Sequence, residues 1–453
     1  MLERNSMNDG TESLYYDACN KHQNGQLNEA RAVLEEVIKL DPNHFDAWHL
    51  LGIIAAQRND YQLAADSIAR AIDLNPTNAS FYSNHGLALQ HLMQMEAAIA
   101  SYDRAIEIKQ NYAEAFYNRA VAFQALGQWI TAVADYDRAI ALRPSYAEAY
   151  CSRGVVLQKL GMLQEAVASY DLAIAIRPAY AFAFSNRGVA LQGLKQLEAA
   201  IASCDRAIEL MPNLAEAYYN RGIALRELNL LNKSVASYDQ AIAIQPNYVE
   251  ALYNRGNALK ELKRLDEAVD SFDRAIMLRP DYAEAQWNKG LTLLLSGDLE
   301  RGLELYEWRW KKDSAKSPSE RFAKPLWTGV ESVRDKSILV YSEQGLGDTI
   351  QFCRYLFNLT DLGAKVLFSP QKPLRGLMKC LANSVQIVDE TESKFEFDFH
   401  IPLLSLPLAF KTNLKSIPAL TPYLFAEKER VVRWKEAIGA GGFKIGVCWH
   451  GAA

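Results

Sequence analysis

The stretch AEAFYNRAVAFQALGQWITAVADYDRAIALRPSY, residues 113–146, returns in closely similar form as AEAYYNRGIALRELNLLNKSVASYDQAIAIQPNY, residues 215–248. The same period of 34 residues runs through most of the first 316 residues. Proline recurs at that spacing at Pro42, Pro76, Pro144, Pro178, Pro212, Pro246 and Pro280, with Gln110 in the single gap. One unit repeated at a fixed spacing is typical of a solenoid, which grows without a single central core.

Small residues define two further columns of the repeat, 12 residues apart. The first column holds Ala18, Gly52, Gly86, Ala120, Gly154, Gly188, Gly222, Gly256 and Gly290, and the second holds Ala30, Ala64, Ala98, Ala132, Ala166, Ala200, Ser234 and Ala268. Small side chains let two antiparallel helices approach closely, and proline ends the second helix. The sequence therefore predicts one helix pair in each unit.

Five residues of one unit, Trp48, Gly52, Ala64, Ala71 and Pro76, occupy signature positions of the tetratricopeptide repeat (TPR). The chain resembles that family over nine units, which start at residues 11, 45, 79, 113, 147, 181, 215, 249 and 283. The resemblance implies a mainly α-helical superhelix over residues 11–316, preceded by an N-terminal extension, residues 1–10.

The ninth unit departs from the pattern. Gly302, Arg309 and Ser314 replace the expected Ala, Ala and Pro, and Trp308 and Trp310 add aromatic bulk. A terminal repeat with altered packing residues is typical of a cap. We expect this unit to join the array to the segment that follows it.

The first helix of each unit has one packing face, formed by positions 4, 8 and 11. Positions 2, 5, 6, 9, 12 and 13 lie on the opposite face, which lines the concave groove in TPR superhelices. Position 6 holds Asn84, Asn118, Asn186, Asn220, Asn254 and Asn288, interrupted only by Ser152. This row resembles the asparagine ladder of O-linked N-acetylglucosamine transferases, which implies amides that grip the backbone of an extended peptide. The alternative is that these amides bridge neighbouring helices or are simply solvated.

Position 5 of the same helices adds aromatic side chains, Tyr117, Tyr219, Tyr253 and Trp287. Aromatic rings suit the side chains of a bound peptide. Partial burial against the adjacent helix is the alternative for this row. We expect a protein or an extended peptide as the partner of this face.

An acidic column on the second helices, Asp103, Asp137, Asp171, Asp205, Asp239 and Asp273, is often followed by Arg. A charge pair repeated on that helix is typical of salt bridges on the surface or between repeats. We assign this column no binding or catalytic function.

The pattern changes after the array. We expect a linker over residues 317–336 and an α/β domain over residues 337–442, because strand-like runs at 337–342, 365–369, 384–389 and 397–401 alternate with helical segments. Alternation of this kind predicts a parallel sheet, a Rossmann-like half. Residues 443–449 resemble the first strand of a second such domain, for which residues 443–453 are too few.

A glycine loop follows the first predicted strand and contains Gly345, Gly347, Asp348 and Thr349. Glycine permits a tight turn there, and chemistry in open parallel sheets takes place beyond the carboxyl ends of the strands. A carboxylate at that place can accept a proton from a hydroxyl group. The alternative for Asp348 is a helix N-cap, and the loop does not match the dinucleotide or Walker patterns.

The run Ser342–Phe352, together with Phe399–Pro407, resembles bacterial TPR-linked glycosyltransferases, whose catalytic part is similar to heptosyltransferases of the two-domain GT-B arrangement. The resemblance covers about residues 321–451 and implies transfer of a sugar from a nucleotide-sugar donor to a hydroxyl group, with Asp348 as the base and no further cofactor. Because the second domain supplies most of the donor site in that family, we expect this chain to be inactive alone. The competing hypothesis is a pure protein-binding scaffold without catalytic activity.

Composition and charge exclude several further classes of function for this chain. The six cysteines stand far apart, without the close pairs of zinc or redox motifs, so we expect reduced thiols and no metal site. Residues 1–316 carry 32 Lys and Arg against 40 Asp and Glu, which argues against a surface that tracks nucleic-acid phosphates. No apolar run is long enough to span a membrane and the N-terminus lacks a secretory signal, so the expected location is cytoplasmic.

Overall fold

The computed structural model describes residues 2–312, 317–389, 395–419, 421–426 and 428–438, with side chains from residue 10 onward. The chain divides into two units, residues 1–246 and residues 247–453, and each is described by itself. Residues 443–453, where the sequence predicts the first strand of a second domain, lie outside the described residues, as do Cys448 and His450.

The first unit consists of seven helix pairs in chain order. They are α1 (Leu2–Gln23), α2 (Leu27–Leu40), α3 (Phe45–Gln57), α4 (Tyr61–Leu74), α5 (Ala79–His91), α6 (Met95–Ile108), α7 (Ala113–Ala125), α8 (Trp129–Leu142), α9 (Ala147–Lys159), α10 (Leu163–Ile176), α11 (Ala181–Gly193), α12 (Leu197–Leu210), α13 (Ala215–Glu227) and α14 (Leu231–Ile244). We call the odd-numbered member of each pair the A helix and the even-numbered member the B helix. Residues 2–10, expected as an extension, are the first part of α1.

Glycines in the first small column let the A helix approach the B helix of its own repeat. A Cβ atom added at Gly86 would lie 2.7 Å from the ring of Tyr102, and one added at Gly222 would lie 2.5 Å from the ring of Tyr238. Both tyrosine side chains are fully buried. The glycine column therefore makes room for one aromatic ring of the B helix, which fills the centre of the repeat.

The second unit begins with two more helix pairs, α15 (Val249–Glu261) with α16 (Leu265–Leu278) and α17 (Ala283–Ser296) with α18 (Leu299–Tyr306). By the repeat, the last B helix would span residues 299–312. The structure divides it into α18 and a short helix, α19 (Arg309–Lys312), separated by a turn at Glu307 and Trp308.

A four-stranded sheet follows, with β1 (Ser337–Tyr341), β2 (Lys365–Ser369), β3 (Val385–Ile387) and β4 (Phe399–Pro402). All pairings are parallel and the order is β3-β2-β1-β4, with Ile338 opposite both Val366 and Phe399. The predicted parallel sheet is thus confirmed. The remaining helices are α20 (Pro318–Arg321), α21 (Leu346–Phe352), α22 (Tyr355–Asp361), α23 (Arg375–Met378), α24 (Leu406–Ala409) and α25 (Lys428–Ile438), with 3-10 turns at Lys372–Leu374, Lys379–Leu381 and Leu403–Ser405.

Two local predictions differ from the structure. The segment expected as a linker, residues 317–336, contains α20 and also Trp327, which is 2% exposed in the sheet core. The backbone N–H of Trp327 donates to the His400 carbonyl (2.9 Å). Between the second and third strands, the sequence predicts one helix over residues 373–381, and the structure instead has α23 flanked by two 3-10 turns. In the first case, the core of a small sheet recruits a large apolar side chain from outside the strands.

The ninth repeat packs on the sheet. Helix α18 contacts α24, and Tyr306 lies against the apolar core that Ile338, Val340 and Leu356 form. This contact places the end of the repeat array beside the carboxyl ends of β1 and β4.

Candidate functional site

The A helices of the first unit lie side by side, and neighbouring ones, α3 with α5 and α5 with α7 among them, contact each other. We call the surface formed by their positions 2, 5, 6, 9, 12 and 13 the A-helix face. Because successive A helices are in contact, side chains of adjacent repeats meet on this face.

Side chains of the asparagine row form hydrogen bonds with the neighbouring repeat. A side chain at position 6 interacts with the side chain at position 5 of the repeat before it, a contact we call an inter-repeat rung. The rungs are Asn84 Nδ2 with His49 Nε2 (2.9 Å), Ser152 with the Tyr117 hydroxyl (3.4 Å), Asn186 with the Cys151 thiol, Asn220 Nδ2 with the Ser185 hydroxyl (3.2 Å) and Asn288 Nδ2 with the Tyr253 hydroxyl (3.1 Å). Asn118 and Asn254 occupy the same position and are half-buried.

Asn288 shows the rung in its most complete form. Its Nδ2 group donates to the Tyr253 hydroxyl and to the Glu284 carbonyl (3.0 Å), and its Oδ1 atom accepts from Lys260 Nζ (2.6 Å). The side chain is buried. An amide with these partners has little left to offer a ligand.

His49 forms a rung as a neutral group. Burial lowers the pKa of this imidazole to about 4. A neutral ring can exchange one hydrogen bond with the Asn84 amide without placing a charge between the repeats.

The aromatic residues at position 5 pack inward. Tyr117 lies 5.0 Å from the Tyr146 ring, Tyr253 lies 5.0 Å from the Tyr282 ring, and Tyr219 lies 6.0 Å from the Tyr238 ring, all between centroids. Each aromatic residue is half-buried. This geometry agrees with burial against the adjacent helix, the alternative left open for this row.

Position 12 is also engaged in three repeats. The buried tyrosines of the B helices donate to glutamine oxygens at that position, Tyr102 to Gln90 (3.0 Å), Tyr136 to Gln124 (3.0 Å) and Tyr170 to Gln158 (3.2 Å). The amide groups at positions 6 and 12 thus support the array itself.

Aliphatic side chains occupy position 9, one helical turn beyond each rung. The column holds Ile53, Leu87, Val121, Val155, Val189 and Ile223, all partly exposed. Ile53 and Leu87 also line a cavity of about 280 Å³ beside Asn84, closed at one side by the stacked rings of Tyr61 and His91. Sequence reasoning missed this column, although its aliphatic character recurs with the 34-residue period.

The acidic column forms salt bridges between repeats, as predicted. Asp103, Asp137, Asp171 and Asp205 each pair with the arginine at position 7 of the next A helix, at 2.5 to 2.7 Å. Arg119, for example, joins Asp103 of the preceding repeat to Asp135 of its own repeat (2.7 Å). The arginines therefore hold successive repeats in register.

The glycine loop lies at the carboxyl end of β1. Helix α21 begins at Leu346 and not near Thr349, so that Asp348 is the third residue of the helix and not its N-cap. The Gly345 N–H donates to Asp348 Oδ2 (3.1 Å), while Gly347 is exposed and Thr349 is buried. The half-buried Asp348 carboxylate thus closes the first turn of α21 and still reaches solvent.

A buried ionic cluster that the sequence analysis did not identify borders this loop. Arg309 Nη2 lies 2.9 Å from Glu343 Oε1 and 2.8 Å from Ser405 Oγ, and the Arg309 and Glu343 side chains are 6% and 4% exposed. Burial raises the pKa of Glu343 to about 7, against the opposing effect of Arg309. The signal in the sequence was Arg309 itself, a departure from the small residue that the repeat requires.

In the described part of the chain, no group of three or more His, Cys, Asp or Glu side chains is placed to hold a metal ion. None of its helices is both long enough and apolar enough to cross a bilayer.

The paired helices, glycine columns and inter-repeat rungs define a helical repeat protein. Models of the tetratricopeptide repeat match residues 18–79, 94–127, 125–161, 147–180, 183–214, 222–263 and 249–282. This part of the chain belongs to the tetratricopeptide repeat family.

Several known proteins are similar to parts of this chain. Protein FlbA of Caulobacter vibrioides is 24% identical over 178 residues, which cover 35% of this chain, and the chain spans 30% of the length of FlbA. Among solved structures, YrrB, a TPR protein with an unusual peptide-binding site, is 27% identical over 41% of this chain and 95% of its own, with a TM-score of 0.35. The Cut9-Hcn1 hetero-tetramer of the APC/C is 16% identical over 59% of this chain and 52% of its own, with a TM-score of 0.47.

Proposed function

We propose that the repeat array binds an extended segment of a partner protein on the A-helix face, through apolar contacts at position 9. The observation that carries this proposal is the row of partly exposed aliphatic side chains on a face where four of the six position-6 asparagines form inter-repeat rungs. Burial of apolar surface contributes about 25 cal/mol per Å², so several such contacts in a row can hold a segment of modest length. A row of exposed aliphatic groups is typical of an interaction surface.

The test uses a displayed library of short linear peptides selected against the whole chain. Peptides selected by the wild type should lose binding to a chain with Val121→Asp, Val155→Asp and Val189→Asp, since each change places a charge on the contact row. The control carries Ile130→Asp, Leu172→Asp and Met277→Asp, three exposed apolar positions away from that row. Selected peptides that bind both variant chains equally would contradict the proposal.

A second candidate function concerns the sheet domain. We infer that it contributes to sugar transfer from a nucleotide-sugar donor, with Asp348 as the base. Support comes from a glycine loop at the carboxyl end of the parallel strand β1 and from a half-buried carboxylate at that loop. The two hypotheses are compatible, because the array can supply the acceptor protein.

Because this chain is expected to be inactive alone, the test uses a form that carries both domains of the resembled family. It measures release of nucleoside diphosphate from a panel of nucleotide sugars, with and without the peptides selected above. The role of Asp348 is supported if Asp348→Asn abolishes this release while Asp361→Asn, at the end of α22, leaves it intact. Release that is insensitive to Asp348→Asn would exclude it.

A further inference from the structure

Arg309 stands where the repeat otherwise holds a buried small side chain. The first repeat holds the buried Val37 there. The equivalent residues of repeats two to eight are alanines with no exposed surface, Ala71, Ala105, Ala139, Ala173, Ala207, Ala241 and Ala275. An arginine is too large for that space between the A and B helices. The B helix of the ninth repeat is correspondingly interrupted just before Arg309, at Glu307 and Trp308.

The guanidinium group remains buried after this interruption. It lies 4.6 Å from the ring centroid of Tyr306 and 4.7 Å from that of Trp310. Its Nη1 atom contacts Glu307 Oε1 (2.5 Å), and its Nη2 atom contacts Glu343 Oε1 and Ser405 Oγ. One cation thus joins the end of the array to the segments that follow β1 and β4.

The ninth repeat also contacts Gln344, the residue after Glu343. The Tyr306 hydroxyl donates to Gln344 Oε1 (3.0 Å), and Gln371 Nε2 donates to the Gln344 carbonyl (2.5 Å). Glu343 and Gln344 directly precede Gly345, whose N–H donates to Asp348. The contacts of the ninth repeat therefore end at the start of the turn that carries Asp348.

We propose that Arg309 is a positioning residue, which holds the glycine loop, residues 343–348, at the carboxyl end of β1 by binding the Glu343 carboxylate. The positioning of the loop does not depend on the proposed sugar transfer; only the catalytic role of the loop rests on that proposal. The ninth repeat is then a working part of the sheet domain as well as the end of the array.

The charges of the cluster explain why an arginine is needed. Three elements face the Glu343 side chain. Arg309 lies on α19, Glu307 lies in the turn after α18, and Ser405 and the backbone of Leu404 lie in the turn after β4. Two carboxylates surround one guanidinium group. Loss of Arg309 leaves the Glu343 carboxyl group buried beside another carboxylate without its cation. Whether it then stays charged or takes up a proton, it is less stable at pH 8 than an ionised carboxylate in water, which favours withdrawal of the loop toward water.

Hydrogen–deuterium exchange of the whole chain at pH 8 tests the proposal. With Arg309→Met, the amides of residues 344–349 should exchange at least about tenfold faster, while those of β1 and β2 keep their rates. Adding Glu343→Gln to Arg309→Met should restore slow exchange, because no buried charge then needs a partner. The matched control is Arg301→Met, on α18, whose exposed side chain pairs only with Asp298 among the contacts described.

Each outcome of the exchange experiment supports or overturns the positioning role of Arg309. Fast exchange confined to the loop and reversed by Glu343→Gln supports positioning; unchanged loop rates, or faster exchange throughout the sheet that the double variant does not reverse, overturn it. If Arg309→Met fails to fold, Arg309→Gln gives the same comparison, because it also removes the cation while keeping a side-chain N–H donor. Exchange rates involve neither peptide nor sugar, so their outcome is independent of the success of the proposed functions.

Discussion

The Asn288 amide donates to the Tyr253 hydroxyl of the preceding repeat, 35 residues earlier in the chain. The same spacing joins Asn220 to Ser185 and Asn84 to His49. Four of the six asparagines predicted to grip a peptide backbone thus join one repeat to the next. The aliphatic column at position 9 of the A-helix face stays partly exposed, which changes the kind of partner that we expect.

Removing a rung should lower stability. We expect Asn288→Ala and Tyr253→Phe to be coupled by about 1 kcal/mol in a double-mutant cycle, since either change alone breaks the hydrogen bond between the two residues. Calorimetric unfolding of the four chains measures this coupling. The control pairs Tyr253→Phe with Asn186→Ala in another repeat and should show additive effects. Additive effects in the Asn288 cycle would mean that the rung contributes nothing.

A large residue in the glycine column should destabilise its repeat. We expect Gly222→Val to lower the free energy of unfolding by about 3 kcal/mol, because the new side chain would overlap the buried Tyr238 ring. Thermal unfolding measures the effect. Glu216→Val, at an exposed position of the same helix, tests the helix propensity of valine alone and should cost less than about 1 kcal/mol.

The arginines that join repeats should contribute more to the free energy of unfolding than exposed arginines do. Arg119 is 18% exposed and bridges Asp103 and Asp135, whereas Arg104 is 54% exposed and pairs with Glu107 in its own helix. We expect Arg119→Met to cost about 2 kcal/mol and Arg104→Met to leave the stability nearly unchanged. Equal shifts of the unfolding temperature would show that the bridges between repeats add no stability.

The Glu343 carboxyl should make stability depend on pH. Its folded pKa, about 7, is above the usual value of 4.5, so the folded state binds the proton more tightly than the unfolded state. The stabilising contribution is therefore complete below about pH 4.5 and is lost as the pH rises through 7. We expect Glu343→Gln to be about 1 to 3 kcal/mol more stable relative to wild type at pH 8 than at pH 5. Glu320→Gln, at an exposed position, should show no such trend in calorimetry at the two pH values.

The sequence determined the repeat and much of its chemistry. Period, helix pairing, the glycine columns and the acidic salt-bridge column follow from local pattern, because each unit packs mainly on itself and on its neighbours. Strands β1 and β2 were also predictable from short apolar runs, with β2 matching its predicted bounds and β1 ending one residue earlier. These features depend on residues close in the chain or separated by one period.

Only the tertiary structure decided where the polar groups find their partners. Asn288 can equally bind a peptide or the Tyr253 hydroxyl, and the choice depends on how closely two A helices approach. Arg309 and Glu343 are 34 residues apart, but Glu343 follows β1 and belongs to no repeat, so their pairing depends on how the ninth repeat packs on the sheet. A hydrogen bond or an ion pair requires ångström-scale proximity, which periodicity alone does not specify.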